Sequence, residues 1–84
     1  MKLAQRLTLK QLRALVAVAD SASFTQAARL LHLTQPAISM QIRDAEGIVG
    51  QVLVDGRREV RLTPAGEVLV RAARQVLHSL ELAE

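Results

Sequence analysis

The chain has 84 residues, enough for one domain but near the lower limit for a self-sufficient hydrophobic core. Half of the residues are hydrophobic and none is cysteine, which excludes disulfides and thiolate metal sites. The two histidines have no acidic cluster at ligand spacing, so we expect neither a metal nor another cofactor. No apolar run is long enough to span a bilayer, and we expect a cytoplasmic protein without a membrane partner.

The net charge of +3 is distributed unevenly along the chain. Residues 1–43 carry six basic side chains against one carboxylate, a net +5, whereas residues 44–84 carry five against seven, a net −2. Such an asymmetry favours a polyanion as the partner of one face, although solvated basic faces are also common.

Two short helices are predicted in the amino-terminal third. Thr8 and Gln11 have the spacing of a capping box, which predicts a helix 1 that runs to about Asp20. Its apolar face is predicted from the helical spacing of Leu9, Leu12, Val16 and Ala19. Ser23 and Gln26 repeat the capping pattern and predict helix 2. Its packing residues are Ala27, Ala28, Leu30 and Leu31, and His32 and Leu33 make the following turn.

Helix 3 is predicted to begin at Thr34, because Thr34 is a good N-cap and Pro36 is tolerated in a first helical turn. Gly47 and Gly50 are expected to mark its end. One side of the helix carries Ile38, Ile42, Ala45 and Val49, and the opposite arc carries Pro36, Ser39, Met40 and Arg43. Periodicity alone leaves open whether this arc reads a ligand or is the solvated face of a core helix.

A hairpin and a long helix complete the predicted order. Residues 51–54 form a short β-branched run, Asp55-Gly56 signals a hairpin turn, and residues 60–62 return as a half-buried strand. Thr63 and Pro64 then open helix 4. This order predicts a mostly α winged helix-turn-helix of three helices and a short hairpin wing over residues 1–62, followed by a long helix over residues 63–84.

The start of helix 3 has the side chains that suit the major groove of DNA. Gln35 can pair bidentately with adenine, and Ser39 can donate to or accept from several bases. Pro36 and Met40 can pack against a thymine methyl, whereas Arg43, further along, suits a phosphate contact.

From Leu9 onward the sequence resembles the amino-terminal domain of LysR-type transcriptional regulators. The matching stretch is Leu12 to Gly66, with "SFTQAARLLHLTQPAIS" as its most specific segment. The resemblance implies sequence-specific binding of double-stranded DNA, with a recognition helix over residues 35–46 and an arginine-bearing wing near residues 55–58 in the minor groove. It also implies phosphate contacts at Thr25 and Thr34, base contacts at Gln35, Pro36 and Ser39, and an effector-sensing domain in a full-length relative. The family resemblance further implies that the last helix, over residues 63–84, is a linker and dimerisation helix.

The sequence departs from the family pattern at three places. The usual Leu-Glu after helix 3 is Ala45-Glu46, followed by Gly47. Met40 stands where the family most often has arginine, and the wing reads Leu53-Val54-Asp55-Gly56 with a loop one residue shorter. The usual wing arginine is absent from its place, so Arg57 or Arg58 is expected to serve instead.

A coiled-coil seam with 4-3-4-3 spacing is predicted in helix 4 from Leu69, Ala73, Val76, Leu80 and Ala83. It predicts a homodimer through this helix, and hence an inverted-repeat operator. One alternative is that the stripe packs entirely on the chain's own three helices. Another is a protein-interaction module that has lost DNA affinity. Catalysis is not expected, because the serines lack a histidine and aspartate constellation and no glycine-rich phosphate loop is present.

Overall fold

The computed structural model describes residues 6–56 and 59–83, and it confirms the predicted winged helix-turn-helix order. The elements in chain order are α1 (Leu9–Ser21), α2 (Phe24–Leu31), α3 (Gln35–Val49), β1 (Val54–Asp55), β2 (Arg61–Leu62) and α4 (Pro64–Ala83). Helix α1 packs against the other three helices, and the hairpin follows α3 in the chain and contacts α4 through β2.

The first three helices begin where their capping residues predict. The Gln11 N–H donates to Thr8 Oγ1 at 3.1 Å, and the Thr8 N–H donates to Gln11 Oε1 at 2.8 Å, which completes a capping box. The Ser23 and Thr34 hydroxyl oxygens accept the third N–H of α2 and α3 in the same way, at 3.1 and 3.2 Å. Each cap satisfies a backbone donor that has no partner inside its helix.

Helix ends are made by residues in the left-handed region. Ala22, His32 and Gly50 follow α1, α2 and α3 with φ of 55°, 56° and 77°. His32 therefore makes the predicted turn, and the Leu33 N–H donates back to the Ala28 carbonyl at 2.9 Å. Gly50 ends α3 as expected. Gly47 does not, because it lies within the last turn of the helix, where its missing side chain only lowers helix propensity.

The core is built around α1, but not on the predicted stripe. Leu15, Val18, Ile38 and Leu53 are the largest fully buried side chains. Leu9 is 44% exposed, and the other three members of the predicted stripe are only partly buried. Because α1 is covered by three helices, its buried arc is wide and centred on Leu15 and Val18, and the stripe lies on the flank that faces α4.

Helix α4 is part of the same packing unit as the first three helices. Gly66, Val70 and Ala73 of α4 are buried, and Val70 belongs to the hydrophobic core. The predicted division into residues 1–62 and 63–84 therefore stays a prediction about function, since packing does not separate the two parts.

The hairpin is shorter and begins later than predicted. Val54 pairs with Leu62 and Asp55 with Arg61 in antiparallel register, while residues 51–53 precede the strand. Asp55 is thus the last strand residue, and its carboxylate accepts the Gly56 N–H at 2.8 Å. The Asp55-Gly56 signal thus correctly predicts the end of the first strand. Residues 51–53 do not pair, because they connect the end of α3 to that strand.

Thr63 joins the base of the hairpin to the start of α4. Its N–H donates to the Leu53 carbonyl at 3.0 Å and its hydroxyl to the Val52 carbonyl at 2.6 Å. The same hydroxyl oxygen accepts the Gly66 N–H at 3.0 Å, the N-cap contact that the sequence predicts. The backbone of Gly66 consequently lies so close to Leu53 that a Cβ would come within 2.0 Å of the Leu53 carbonyl oxygen.

We expect the two helical glycines to respond in opposite directions to alanine. A Cβ at Gly47 meets nothing within 4 Å, so Gly47→Ala should raise the free energy of unfolding by about 0.5–1 kcal/mol through helix propensity. Gly66→Ala should lower it by about 2 kcal/mol or more, because α4 must move away from Leu53. Urea denaturation followed by circular dichroism measures both free energies of unfolding. Similar changes in the two variants would contradict the close approach of Gly66 to the Leu53 carbonyl.

Candidate nucleic-acid interface

Helix α3 has one face in the core and the opposite face in solvent. Ile38, Ile42 and Ala45 are at most 2% exposed and hold the helix against α1 and α2. On the other side Met40 is 60% exposed. The exposed positions of the predicted site on α3 are Gln35, Pro36, Met40 and Arg43, while Ser39 is partly buried between the two faces. The structure thus brings the predicted base-reading residues together on one accessible surface.

The amino terminus of α3 is open to a negatively charged ligand. No acidic side chain lies in the first turn of α3 or of α2, so the partial positive charge of each helix end is not cancelled locally. Thr34 uses its hydroxyl oxygen to accept the Ala37 N–H, which leaves the hydroxyl proton available for an external acceptor. Thr25 is exposed in the first turn of α2, where its hydroxyl is equally accessible.

Charge pairing leaves the basic excess of the first half in place. Asp20 is the single carboxylate of residues 1–43, and its Oδ1 lies 2.7 Å from Arg74 Nη2 of α4. Both side chains are about half exposed, so the pair adds little stability, but it links α1 to α4. Arg43 has no carboxylate within ion-pair distance among residues 6–56 and 59–83 and projects from the exposed face of α3.

The tip of the wing falls partly beyond what the structure describes. Arg57 and Arg58, the predicted minor-groove residues, lie outside the described residues. On β2, Arg61 is exposed, with its guanidinium 3.5 Å from the Glu59 carboxylate. Arg61 is not among the predicted DNA contacts, although the alternation of residues 60–62 predicts that it faces solvent.

Glu46 is also absent from the predicted site residues, although it contacts the wing. Its Oε2 accepts the Leu53 N–H at 2.8 Å and the Val54 N–H at 3.4 Å, and so connects α3 to the start of the wing. No local pattern indicates this contact, because the carboxylate is seven residues from the nearer amide and the helix ends between them.

The predicted dimer seam of α4 is divided between two environments. Ala73 is 1% exposed and Leu69 partly buried, since both pack on this chain, whereas Val76 and Leu80 are 43% and 42% exposed. Ala73 is thus buried within its own chain, and its role in a dimer stays a prediction. The free apolar stripe is rotated toward Val68 and Ala72.

Two adjoining apolar grooves flank this stripe. The first is lined by Leu7, Leu9, Leu12, Leu69, Ala72, Ala73 and Val76. The second is lined by Val49, Gln51, Pro64, Ala65, Val68, Leu69 and Ala72. Leu69 and Ala72 belong to both grooves, which makes the uncovered apolar surface continuous along α4.

The described part of the chain shows neither a metal centre nor a membrane span. Within residues 6–56 and 59–83 no group of three His, Asp or Glu side chains could hold a metal ion. No helix in those two ranges is long and apolar enough to cross a bilayer.

Three packed helices, a hairpin after the third and an exposed face on that third helix define a helix-turn-helix protein. The chain belongs to the lysR family of bacterial regulatory helix-turn-helix proteins, whose family model matches residues 9–67. The match confirms the resemblance noted in the sequence.

Curated relatives are transcriptional regulators. The chain is 44% identical over 79 residues to the HTH-type transcriptional regulator CfxR of Cupriavidus necator, covering 93% of this chain and 25% of that protein. It is 47% identical over 77 residues to the Hca operon transcriptional activator HcaR of Escherichia coli K12, covering 90% of this chain and 26% of that protein. The chain therefore spans about a quarter of the length of these relatives.

A solved protein–DNA complex has the same fold. The crystal structure of the BenM DBD bound to benA site 1 DNA matches with a TM-score of 0.85 and 36% sequence identity. The match covers 90% of this chain and 86% of that one. It confirms the fold over nearly all of the chain, including α4.

Thr34 should contribute to stability through its cap. Thr34→Val keeps the shape of the side chain but loses the acceptor for the Ala37 N–H, and we expect it to lower the free energy of unfolding by about 0.5–2 kcal/mol. Thr34→Ser should stay within about 0.5 kcal/mol of the wild type, since serine caps as well as threonine. Thr25→Val is the control, because Ser23 caps α2. Urea denaturation would contradict the cap if the two valine variants were equally stable.

Proposed function

We propose that this chain is the sequence-specific, double-stranded DNA-binding domain of a LysR-type transcriptional regulator. In this proposal α3 lies in the major groove with residues 35–46, and the wing near residues 55–58 approaches the minor groove. The observation that carries the proposal is the two-faced α3, whose core face is fixed while its base-reading face is open. Similarity to a solved protein–DNA complex supports the same conclusion.

Each predicted contact residue of α3 is assigned a role by its chemistry. Gln35 has the donor and acceptor needed to pair with adenine N7 and N6, and Ser39 hydrogen-bonds a neighbouring base. Pro36 and Met40 contact thymine methyl groups, which a long apolar side chain that is 60% exposed can reach. Arg43, further from the helix start, binds a phosphate.

Phosphate contacts orient the domain on the duplex. Thr25 and Thr34 donate their hydroxyl protons to phosphates beside the two helix amino termini, where the helix dipoles also favour negative charge. Arg57 and Arg58 supply the positive charge of the wing at the narrow minor groove. The domain needs no cofactor in this role, and we place the regulator in the cytoplasm; an effector-sensing domain is expected in a full-length relative.

We also propose that the chain forms a homodimer through α4. The continuous apolar surface along Leu69, Ala72 and Val76 is larger than isolated exposed side chains would give, and an antiparallel copy of the same helix covers it symmetrically. Leu9 and Leu12 of α1 line the same groove and extend the contact. Two recognition helices related by a two-fold axis then require an inverted-repeat operator.

The shortened wing favours one other function, a protein-interaction module without DNA affinity. Both functions use the apolar surface of α4, but only a DNA-binding domain has an affinity that falls steeply with salt. A salt titration of DNA binding therefore separates them.

If Gln35 reads bases and Arg43 binds phosphate, their alanine variants should differ in how much affinity they lose on specific and on shuffled DNA. A specific duplex is first selected from a random 30-base-pair library and compared with a shuffled duplex. We expect Gln35→Ala to cost about 1–3 kcal/mol on the selected duplex and little on the shuffled one. Arg43→Ala should weaken both duplexes alike and reduce the salt slope by about 1.

Gln75→Ala is the control for these variants, because Gln75 is exposed on α4, away from α3. Equal losses for Gln35→Ala on the two duplexes would show that Gln35 does not read sequence. A wild-type chain that binds neither duplex at low salt would overturn the DNA-binding function and leave the interaction module.

The dimer predicts that a charge on the free stripe of α4 blocks association. Val76→Asp and Leu80→Asp should give monomers in sedimentation equilibrium at high micromolar concentration, because each buries a carboxylate against apolar surface. His78→Asp is the matched control, since His78 is exposed and lies off the stripe. A wild-type chain that sediments as a monomer under these conditions would contradict the dimer for this chain.

A further inference from the structure

Glu46 occupies a position that the helix itself disfavours. It lies in the last turns of α3, where a carboxylate faces the negative end of the helix dipole, and no basic residue in the last turn offsets it. A favourable contact elsewhere can offset this cost. The structure supplies it, because Glu46 Oε2 accepts the Leu53 N–H at 2.8 Å and the Val54 N–H at 3.4 Å. Hydrogen bonds to an ionised acceptor are roughly twice as strong as neutral ones.

The two amides that donate to Glu46 belong to residues 52–54, which form the base of the hairpin and are called the hairpin root below. Leu53 is fully buried, so its N–H would lack a partner without the carboxylate. Val54 is the first residue of β1 and pairs with Leu62 of β2. A change in the position of Val54 therefore moves the whole hairpin.

The hairpin root is held from two sides. Thr63 binds the carbonyls of Val52 and Leu53, and so ties the root to the start of α4. In the described ranges, the hydrogen bonds that tie residues 52–54 to α3 are the two made by Glu46. Glu46 thus adds polar contacts between the wing and α3 to the packing of Leu53 in the shared core.

We propose that Glu46 is a positioning residue that fixes the wing relative to the recognition helix, so that both reach DNA together. The inference rests on the proposed DNA-binding function, in which α3 and the wing contact neighbouring grooves. Binding two grooves at once requires the two elements to hold their bound geometry before DNA arrives, and each degree of freedom left to order lowers affinity.

The positioning role and simple electrostatics predict opposite changes in DNA affinity when Glu46 is replaced by a neutral residue. Removing a carboxylate close to bound DNA should raise affinity, because phosphate repulsion falls. Loss of wing positioning should lower affinity even though the net charge becomes more favourable. Asp44→Asn is the matched control, since Asp44 is exposed on the same helix and has no ion pair or side-chain hydrogen bond in the described part of the chain.

The first test needs no DNA. Amide hydrogen exchange of Leu53 and Val54 is measured by NMR in the wild type, Glu46→Gln, Glu46→Ala and Asp44→Asn. We expect exchange of these two amides to accelerate about tenfold in Glu46→Gln and further in Glu46→Ala, with Asp44→Asn unchanged. If Glu46→Ala does not fold, Glu46→Gln alone carries the test. Unchanged protection of Leu53 in the folded variants would overturn the inference.

The second test is a mutant cycle on the selected duplex. Glu46→Gln should weaken binding about tenfold and lower the salt slope, whereas Asp44→Asn should bind equally well or more tightly. In a chain that already carries Arg57→Ala and Arg58→Ala, the same Glu46→Gln change should cost less than about twofold, because no wing contact remains to be misplaced.

The possible outcomes separate the positioning role from a general loss of fold. An equal loss in both backgrounds would overturn the inference, as would tighter binding by Glu46→Gln. Failure of the wild-type chain to bind either duplex would instead overturn the proposed function, and is recognised from the wild type alone.

Discussion

The burial of one face of α3 is the constraint on which the rest of the structure depends. Ile38, Ile42 and Ala45 are packed against α1 and α2, so α3 can neither rotate nor slide without opening the core. The opposite face is consequently held in a single orientation without contacts of its own. A helix that presents side chains to a ligand gains specificity from this rigidity, because the ligand does not have to order it.

The hairpin is too small to be stable by itself and takes its geometry from the helices on either side. Two residues per strand provide few ladder hydrogen bonds, and an isolated hairpin of this kind is at best marginal in water. Leu53 is buried beneath it, Gly66 approaches its carbonyl closely, and Thr63 and Glu46 satisfy the neighbouring backbone groups. Shortening the loop of the wing therefore changes its reach more than the conformation of its base.

Local signals predicted the helices and their starting points, and long-range contacts account for what was missed. The caps at Thr8, Ser23 and Thr34 each depend on a hydrogen bond to the residue three positions on, and a pattern this local can be recognised in the sequence. The buried arc of α1, the burial of Ala73 and the role of Glu46 depend on elements distant in sequence, for which periodicity has no signal. The DNA contacts of the site residues, Arg57 and Arg58 included, stay predictions.

The groove between α1 and α4 links assembly to folding. Leu9, Leu12 and Val76 lie at the edge of a small core, and a partner helix seated there would withdraw their apolar surface from water. In the proposed dimer the energy of association therefore adds to the stability of each domain. By mass action, the midpoint of thermal unfolding then rises with protein concentration, and dilution lowers the stability of the domain.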